Sequence, residues 1–370
     1  MGLTGFCFGI SPPGFRNSGH PKAVCHYSSA LVEKGAGLVS ASPRDALLEG
    51  RWVKLICGAS MDDVPFVETL SELYTLAGVD CIDCAADPAV VGAVLAGIES
   101  ANGVRAAHKL APTRPFVMVS VNDGEDPHFR KAVFDPLKCP SDCPRPCERV
   151  CPTNAISTMG VSERLCYGCG RCLRTCPLGL IIADTYVRSP EDMIELLRNY
   201  PIDAIEIHTL PSHMDEFTAL WSSIGSWVLE ELKLVAVSFP DSDHLEEEIQ
   251  VRSEVLNVGD QADVVWQTDG QPMSGDVGRG MAAKSVRLAK KVLQLGESLS
   301  IPGFVQLAGG TNDATVELMQ KNAIYGKAAG VAFGGFARKV TLNALQISPD
   351  HALESAIGLL EPIKAPLNGD

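Results

Sequence analysis

The chain has 370 residues, 46% of them hydrophobic, with 45 acidic and 31 basic groups and a net charge of −14. That balance argues against sequence-independent nucleic-acid binding, which needs a basic surface, and no apolar run reaches the roughly 18 residues of a membrane span. Thirteen cysteines, eight of them within residues 139–176, point to metal rather than to the dispersed disulfide framework of a small secreted domain.

Residues 1–44 carry Arg16, Lys22, Lys34 and Arg44 but a single acid, Glu33, with six serines and no periodicity. This is the composition of a plastid transit peptide or a disordered extension. Phe6 stands where myristoylation needs Ser or Thr. From residue 51 the pattern alternates. Trp52–Cys57 reads as a strand. A helix follows, capped by Asp62 or Asp63 and ended by Gly78. Val79–Ala85 is the second strand, Pro88 opens a helix to about Ala101, and Pro115–Val121 is the third strand. The alternation breaks at Asn122 and resumes near residue 190. Five more strands follow at Ala204–Thr209, Lys233–Pro240, Asp263–Thr268, Gly303–Ala308 and Gly330–Phe333. Asn312 and Asp313 are positioned to cap the helix between the last two. Eight βα units predict an α/β fold, a (β/α)8 TIM-like barrel, with an open doubly wound sheet as the rival. The expected organisation is an extension over 1–44, barrel segments over 45–121 and 190–370, and a ferredoxin-like iron–sulfur insert over 122–189. The insert follows the third strand and so stands beside the barrel mouth.

Within it, Cys166-x2-Cys169-x2-Cys172-x3-Cys176-Pro177 matches the bacterial ferredoxin pattern, and Cys139-x3-Cys143-x3-Cys147-x3-Cys151-Pro152 is a wider version. Three closely spaced thiolates reach three corners of a cubane, and the fourth serves the neighbouring cluster. One [4Fe–4S] cluster is thus expected on Cys139, Cys143, Cys147 and Cys176, the other on Cys151, Cys166, Cys169 and Cys172. Gly168 and Gly170 leave room for the backbone around the second. Zinc is the alternative, but two quartets each ending in Cys-Pro fit it poorly.

Residues 130–185 hold eight basic groups and five acidic ones. They either dock an acidic electron carrier such as ferredoxin or are simply solvated. At the mouth, Gly309-Gly310 follows the seventh strand and Gly334-Gly335 the eighth. Gly275, Gly278 and Gly280 follow the sixth. Loops after strands seven and eight hold phosphate in many barrels, and FMN would suit them; the alternative is plain turns. Arg338 could pair with such a phosphate. Lys54, Glu206, His208 and Gln267 could face a ligand, yet each taken singly reads as packed or solvated. Cys81 and Cys84, three apart on a strand, point to opposite faces and read as core, as does Cys57. Cys7 and Cys25 lie in the presumed transit segment. No catalytic residue is assigned.

The runs Trp52–Ser60, Ala77–Pro88, Leu307–Asn312 and Gly330–Lys339, together with the eight cysteines, resemble the light-dependent period protein family of cyanobacteria and plants over about residues 50–345. The resemblance implies an iron–sulfur redox sensor that passes light-dependent metabolic state to the circadian clock. It carries over the eight cysteines alone as functional residues. The 44-residue extension departs from the family pattern and implies a plastid copy in the stroma; a cyanobacterial cytoplasmic protein is the alternative. The expected activity is redox sensing or electron relay, with a regulatory partner protein. An FMN-dependent oxidoreductase wired through its clusters is the rival.

Overall fold

The computed structural model describes residues 27–57, 64–124, 130–151, 154–162, 165–166, 170–185, 189–270 and 279–365. Helices α1 (Ser29–Ala36) and α2 (Pro43–Leu48) come first. They lead into β1 (Trp52–Ile56), α3 (Val64–Ala77), β2 (Cys81–Ala85), α4 (Pro88–Ala107) and β3 (Phe116–Asn122). The insert contributes β4 (Arg130–Val133), a short 3₁₀ turn, α5 (Pro146–Val150), β5 (Ile156–Ser157), β6 (Gly160–Val161), α6 (Arg171–Thr175) and β7 (Ile182–Thr185). The alternation returns with α7 (Pro190–Asn199), β8 (Ala204–His208), α8 (Met214–Glu231), β9 (Leu234–Phe239), α9 (Leu245–Leu256) and β10 (Asp263–Asp269). It ends with α10 (Ala282–Leu299), β11 (Phe304–Ala308), α11 (Thr315–Lys321), β12 (Gly330–Phe333), α12 (Gly335–Leu345) and α13 (Pro349–Lys364).

Eight parallel strands close in the order β1-β2-β3-β8-β9-β10-β11-β12, which decides for the barrel over the open sheet. Each expected strand is present, with ends within two residues of the expectation. Burial is nearly continuous along them because helices cover the outside while side chains fill the inside. Val53 and Leu55 belong to the outer core and Trp52 to the inner one. Cys84 likewise points outward and Cys81 inward, as a two-residue period requires.

Helix starts share a device. Ser42, Asp87, Ser189 and Ser348 each accept a backbone N–H of the first turn and are each followed by proline. The cap satisfies a free donor, and proline fixes φ where its missing N–H costs nothing. Asp62 and Asp63 lie outside the described residues. Helix α4 runs six residues past the expected Ala101, because Val104 continues the buried stripe and Gly103 meets only open space. Asn312 does accept the N–H of Ala314 at the start of α11.

The expectation of an extension running to residue 44 is corrected for its described part. Residues 27–44 are built into the barrel. Helix α1 packs so closely on α3 that a Cβ on Gly35 would lie 2.1 Å from the Leu76 carbonyl oxygen. Ala46 and Leu47 of α2 join the inner core at the barrel floor. From the far end of the chain, Lys364 donates to Asp80 and Ser40. These contacts are all long-range, which is why local composition did not reveal them. Among the described residues no helix is long and apolar enough to cross a membrane. Replacing Gly35→Val should force the two helices apart and lower stability by about 1–3 kcal/mol. A urea midpoint equal to wild type would mean that α1 is not docked.

Candidate functional site

The insert is a small unit with a core of its own, in which Ala132, Ile156 and Ile181 pack with Cys147, Cys166 and Cys172. Its two halves repeat. Helices α5 and α6 each have five residues, each follows a left-handed residue (Arg145, φ 49; Gly170, φ 69), and each ends on an extended cysteine (Cys151, φ −77; Cys176, φ −70). Cysteine at the helix end turns the chain outward, as the fourth ligand of each motif must. Gly168 and Cys169 lie outside the described residues. None of the other seven is in a disulfide.

Among the described residues no three His, Cys, Asp or Glu side chains are gathered as the ligands of one ion, but neighbouring cysteines do influence one another. The Cys139 thiol is raised, first by burial and then by neighbouring Cys143. Cys147 is raised by burial and also feels Cys176, from the second motif. Around Cys176 burial works upward, but the backbone N–H groups of Leu180, Leu178, Ile181 and Gly179 outweigh it and hold the thiol below its ordinary value. Such a nest of donors favours the thiolate, the form that ligates iron. Elsewhere Ala155 N donates to Cys151 Sγ at 3.1 Å and Ala132 N to Cys166 Sγ at 3.5 Å. The donor set and its N–H partners fit an iron–sulfur group.

One ion pair ties this unit to the barrel. Lys131 of β4 reaches Asp87 Oδ2 at 3.2 Å, both residues buried. Asp87 is also the cap of α4. The ligand candidate Cys166 bonds to Ala132, the neighbour of Lys131.

The barrel interior is divided. Its floor is apolar, with Trp52, Cys81, Phe116, Leu234 and Val265. Its upper half, toward the mouth, is charged. Lys54 and Glu206 form an ion pair with neither side chain exposed. Gln267 Nε2 donates to Glu206 at 2.7 Å, Gln306 Nε2 to Gln267 at 2.6 Å, and Trp52 Nε1 to Gln306 at 2.6 Å. His208 Nε2 lies 3.3 Å from Glu206, and His208 Nδ1 3.0 Å from Ser238 Oγ. Ser120 donates to Asp83 at 2.6 Å. Burial pulls the Lys54 ammonium down, but Glu206 and Asp83 outweigh it and the net shift is upward. Burial pushes Glu206 up, but Lys54 and His208 hold it below its usual value. Asp83 and Asp269 are each pushed up to about 7, first by burial and then by Glu206. The structure thus joins Lys54, Glu206, His208 and Gln267, and adds Asp83, Asp269, Ser120 and Ser238. One signal existed: each is an inward position two residues from an inward neighbour on its strand.

Around the mouth, Gly309 and Gly310 are left-handed (φ 59 and 100) at the end of β11. A Cβ on Gly310 would press on Met281 Cβ at 3.0 Å, so this glycine serves a close approach. Gly334 and Gly335 open α12 at the end of neighbouring β12, where a Cβ on Gly334 would make only ordinary contact with Ile56. Arg338 Nη1 donates to the Cys57 carbonyl at 3.4 Å. Gly275 and Gly278 lie outside the described residues. Cys57 is core, its thiol pushed up to about 12 by burial.

Two family models match the chain: the light dependent period A Fe-S cluster-binding domain over residues 139–187 and the light dependent period A C-terminal domain over 196–361. Light dependent period A of Synechococcus elongatus is 43% identical over 346 residues, covering 88% of this chain and 95% of that protein. The chain belongs to the light dependent period A family. Its iron–sulfur-binding segment contains all eight clustered cysteines, and this is an iron–sulfur protein. The C-terminal family domain takes in Glu206, His208, Gln267 and Asp269, whereas Lys54 and Asp83 precede it. Among solved structures, tryptophan synthase of Mycobacterium tuberculosis aligns at TM-score 0.40 and 11% identity over 88% of this chain and 99% of that one. A putative fructose-1,6-biphosphate aldolase from Coccidioides immitis aligns at TM-score 0.41 and 10% identity, covering 92% and 98%.

Because Asp83 and Asp269 sit near 7 in the fold against 3.8 ordinarily, the folded chain holds more protons than the unfolded one between those values. Their stabilising contribution is therefore complete in acid and is lost as pH rises through 7. Asp83→Asn with Asp269→Asn should flatten that fall, seen by comparing thermal midpoints at about pH 5 and about pH 8. Parallel profiles for variant and wild type would show that the pair does not titrate there.

Proposed function

We propose that the chain is a redox sensor or electron relay holding two [4Fe–4S] clusters, one on Cys139, Cys143, Cys147 and Cys176, the other on Cys151, Cys166, Cys169 and Cys172. The reading is carried by the one small core that cysteines of both motifs share, Cys147 and Cys151 of the first with Cys166, Cys172 and Cys176 of the second, as the exchange of fourth ligands in two-cluster ferredoxins requires. Bound clusters supply one-electron transfer at a potential tuned by charge and N–H bonds. The chain's own residues do the rest. The N–H groups after Cys176 steady its thiolate, and Ala132, Ile156 and Ile181 keep water from the thiols of Cys147, Cys166 and Cys172. Ala132, next to Lys131, links Cys166 to the Asp87 cap of α4 and so couples charge at the thiolates to the barrel. Redox state is then the variable through which light would act, in keeping with the relative's name. We assign the protein to the plastid stroma on the composition of its first residues, with a cyanobacterial cytoplasm as the alternative.

Anaerobically purified protein should contain about eight iron and eight sulfide per chain and a brown absorbance that dithionite bleaches. Cys147→Ser should lose about half of the iron. Wild type with about four iron per chain would sink the two-cluster reading.

A second reading is favoured by the charged upper barrel: an FMN-dependent oxidoreductase with the clusters as its wire. Gly334 and Gly335 leave backbone N–H groups at the start of α12 for a phosphate, while Gly309 and Gly310 would add only backbone, since Met281 fills the space at Gly310. Denatured protein would release about one flavin per chain, read by fluorescence. A flavin-free supernatant from protein that still bleaches would leave the sensor reading alone.

A further inference from the structure

The geometry points to a docking surface for a small acidic one-electron carrier protein on the iron–sulfur insert, centred on Arg149 and Arg174. It rests on the reading of the cysteines as cluster ligands.

A repeated element carries it. Cys147-Glu-Arg149-Val-Cys151-Pro152 and Cys172-Leu-Arg174-Thr-Cys176-Pro177 place an arginine between the third and fourth cysteines of both motifs. The arginines occupy the same position on the paired helices α5 and α6, and both are exposed. Each lies two residues from two candidate ligands, so a partner held there would bring its own redox centre close to a cluster.

Apolar surface accompanies the charge. Of the nine large hydrophobic residues exposed among the described residues, five are on this insert: Leu137 (94% exposed), Met159 (86%), Ile182 (59%), Leu178 (54%) and Val133 (44%). Val133 and Ile182 face each other across the β4–β7 ribbon. A Cβ on Gly160, beside Met159, would reach the ring of Pro136, beside Leu137. Leu178 follows Cys176-Pro177 directly. Exposed apolar residues gathered in one region mark an interaction site.

Charge selects the occupant. Residues 130–185 carry a net +3 in a chain of −14, which leaves −17 on the remainder. The field steers an acidic protein to the insert and repels it from the barrel. Transfer moves one electron from the reduced carrier to the chain; the carrier is oxidised, and no bond or proton changes hands.

The probe is plant-type [2Fe–2S] ferredoxin, an acidic carrier, photoreduced and mixed with the full-length holoprotein by stopped flow. The wild-type second-order rate should fall about tenfold as salt rises from about 50 to 300 mM. R149E/R174E should be reduced at least tenfold more slowly at low salt and should lose that dependence, while R149K/R174K keeps it. Iron content, and reduction by a neutral deazaflavin radical, report whether the clusters are intact. A charge-reversed protein with full iron content that ferredoxin reduces as fast as wild type overturns the docking surface and leaves the redox reading standing. Wild type that neither reductant reduces overturns both.

Discussion

Lys54 and Glu206 meet inside the closed barrel with no solvent on either side chain, and the rest of the molecule is arranged to tolerate that. Two buried charges lose several kcal/mol of hydration each, which their attraction repays only if further hydrogen bonds complete the shell. Here Gln267, His208 and the Gln306–Trp52 relay complete it. The pair joins β1 to β8, strands separated by β2 and β3 in the ring. It therefore fixes both registers across the barrel: a one-residue slip of either strand would swing its charge into the apolar outer layer.

The same half-barrel shows what the apolar floor is for. Trp52 and Phe116 meet edge to face at 6.1 Å beneath the charges, and Leu47 closes the end below them. Water is excluded from below, so access to the charged layer is from the mouth, where His208 and Asp269 are partly exposed. A barrel kept only for its shape would fill these positions with branched aliphatic residues.

Strands and cysteine motifs were legible because each is written in a few consecutive residues. Alternation around Lys54 and Glu206 reveals the strands, and fixed spacing reveals the ligand candidates. Cys81 and Cys84 were sorted correctly by the two-residue period alone. The charged layer was not legible as a whole. It draws one or two polar side chains from each of seven strands, and only the ring's registers bring Asp83, Ser120 and Asp269 beside Lys54 and Glu206. Helices α1 and α2 escaped for a related reason. Both are short, and their partners, Leu76 and Glu361 for α1 and Asp263 for α2, lie far along the chain.

The β4–β7 ribbon has a consequence for how the chain reaches this shape. Met118 must pair with Ala204 to join the two barrel segments, and the whole insert lies between them. Closing a long loop costs entropy that grows with its length. Arg130 pairs with Thr185 and Val133 with Ile182, so zipping the ribbon takes the intervening residues out of the loop. Only the short stretches on either side of the ribbon then remain to be closed. The insert is thus a splint as well as a module: once it has folded, β3 and β8 search for each other as if they were near neighbours in sequence.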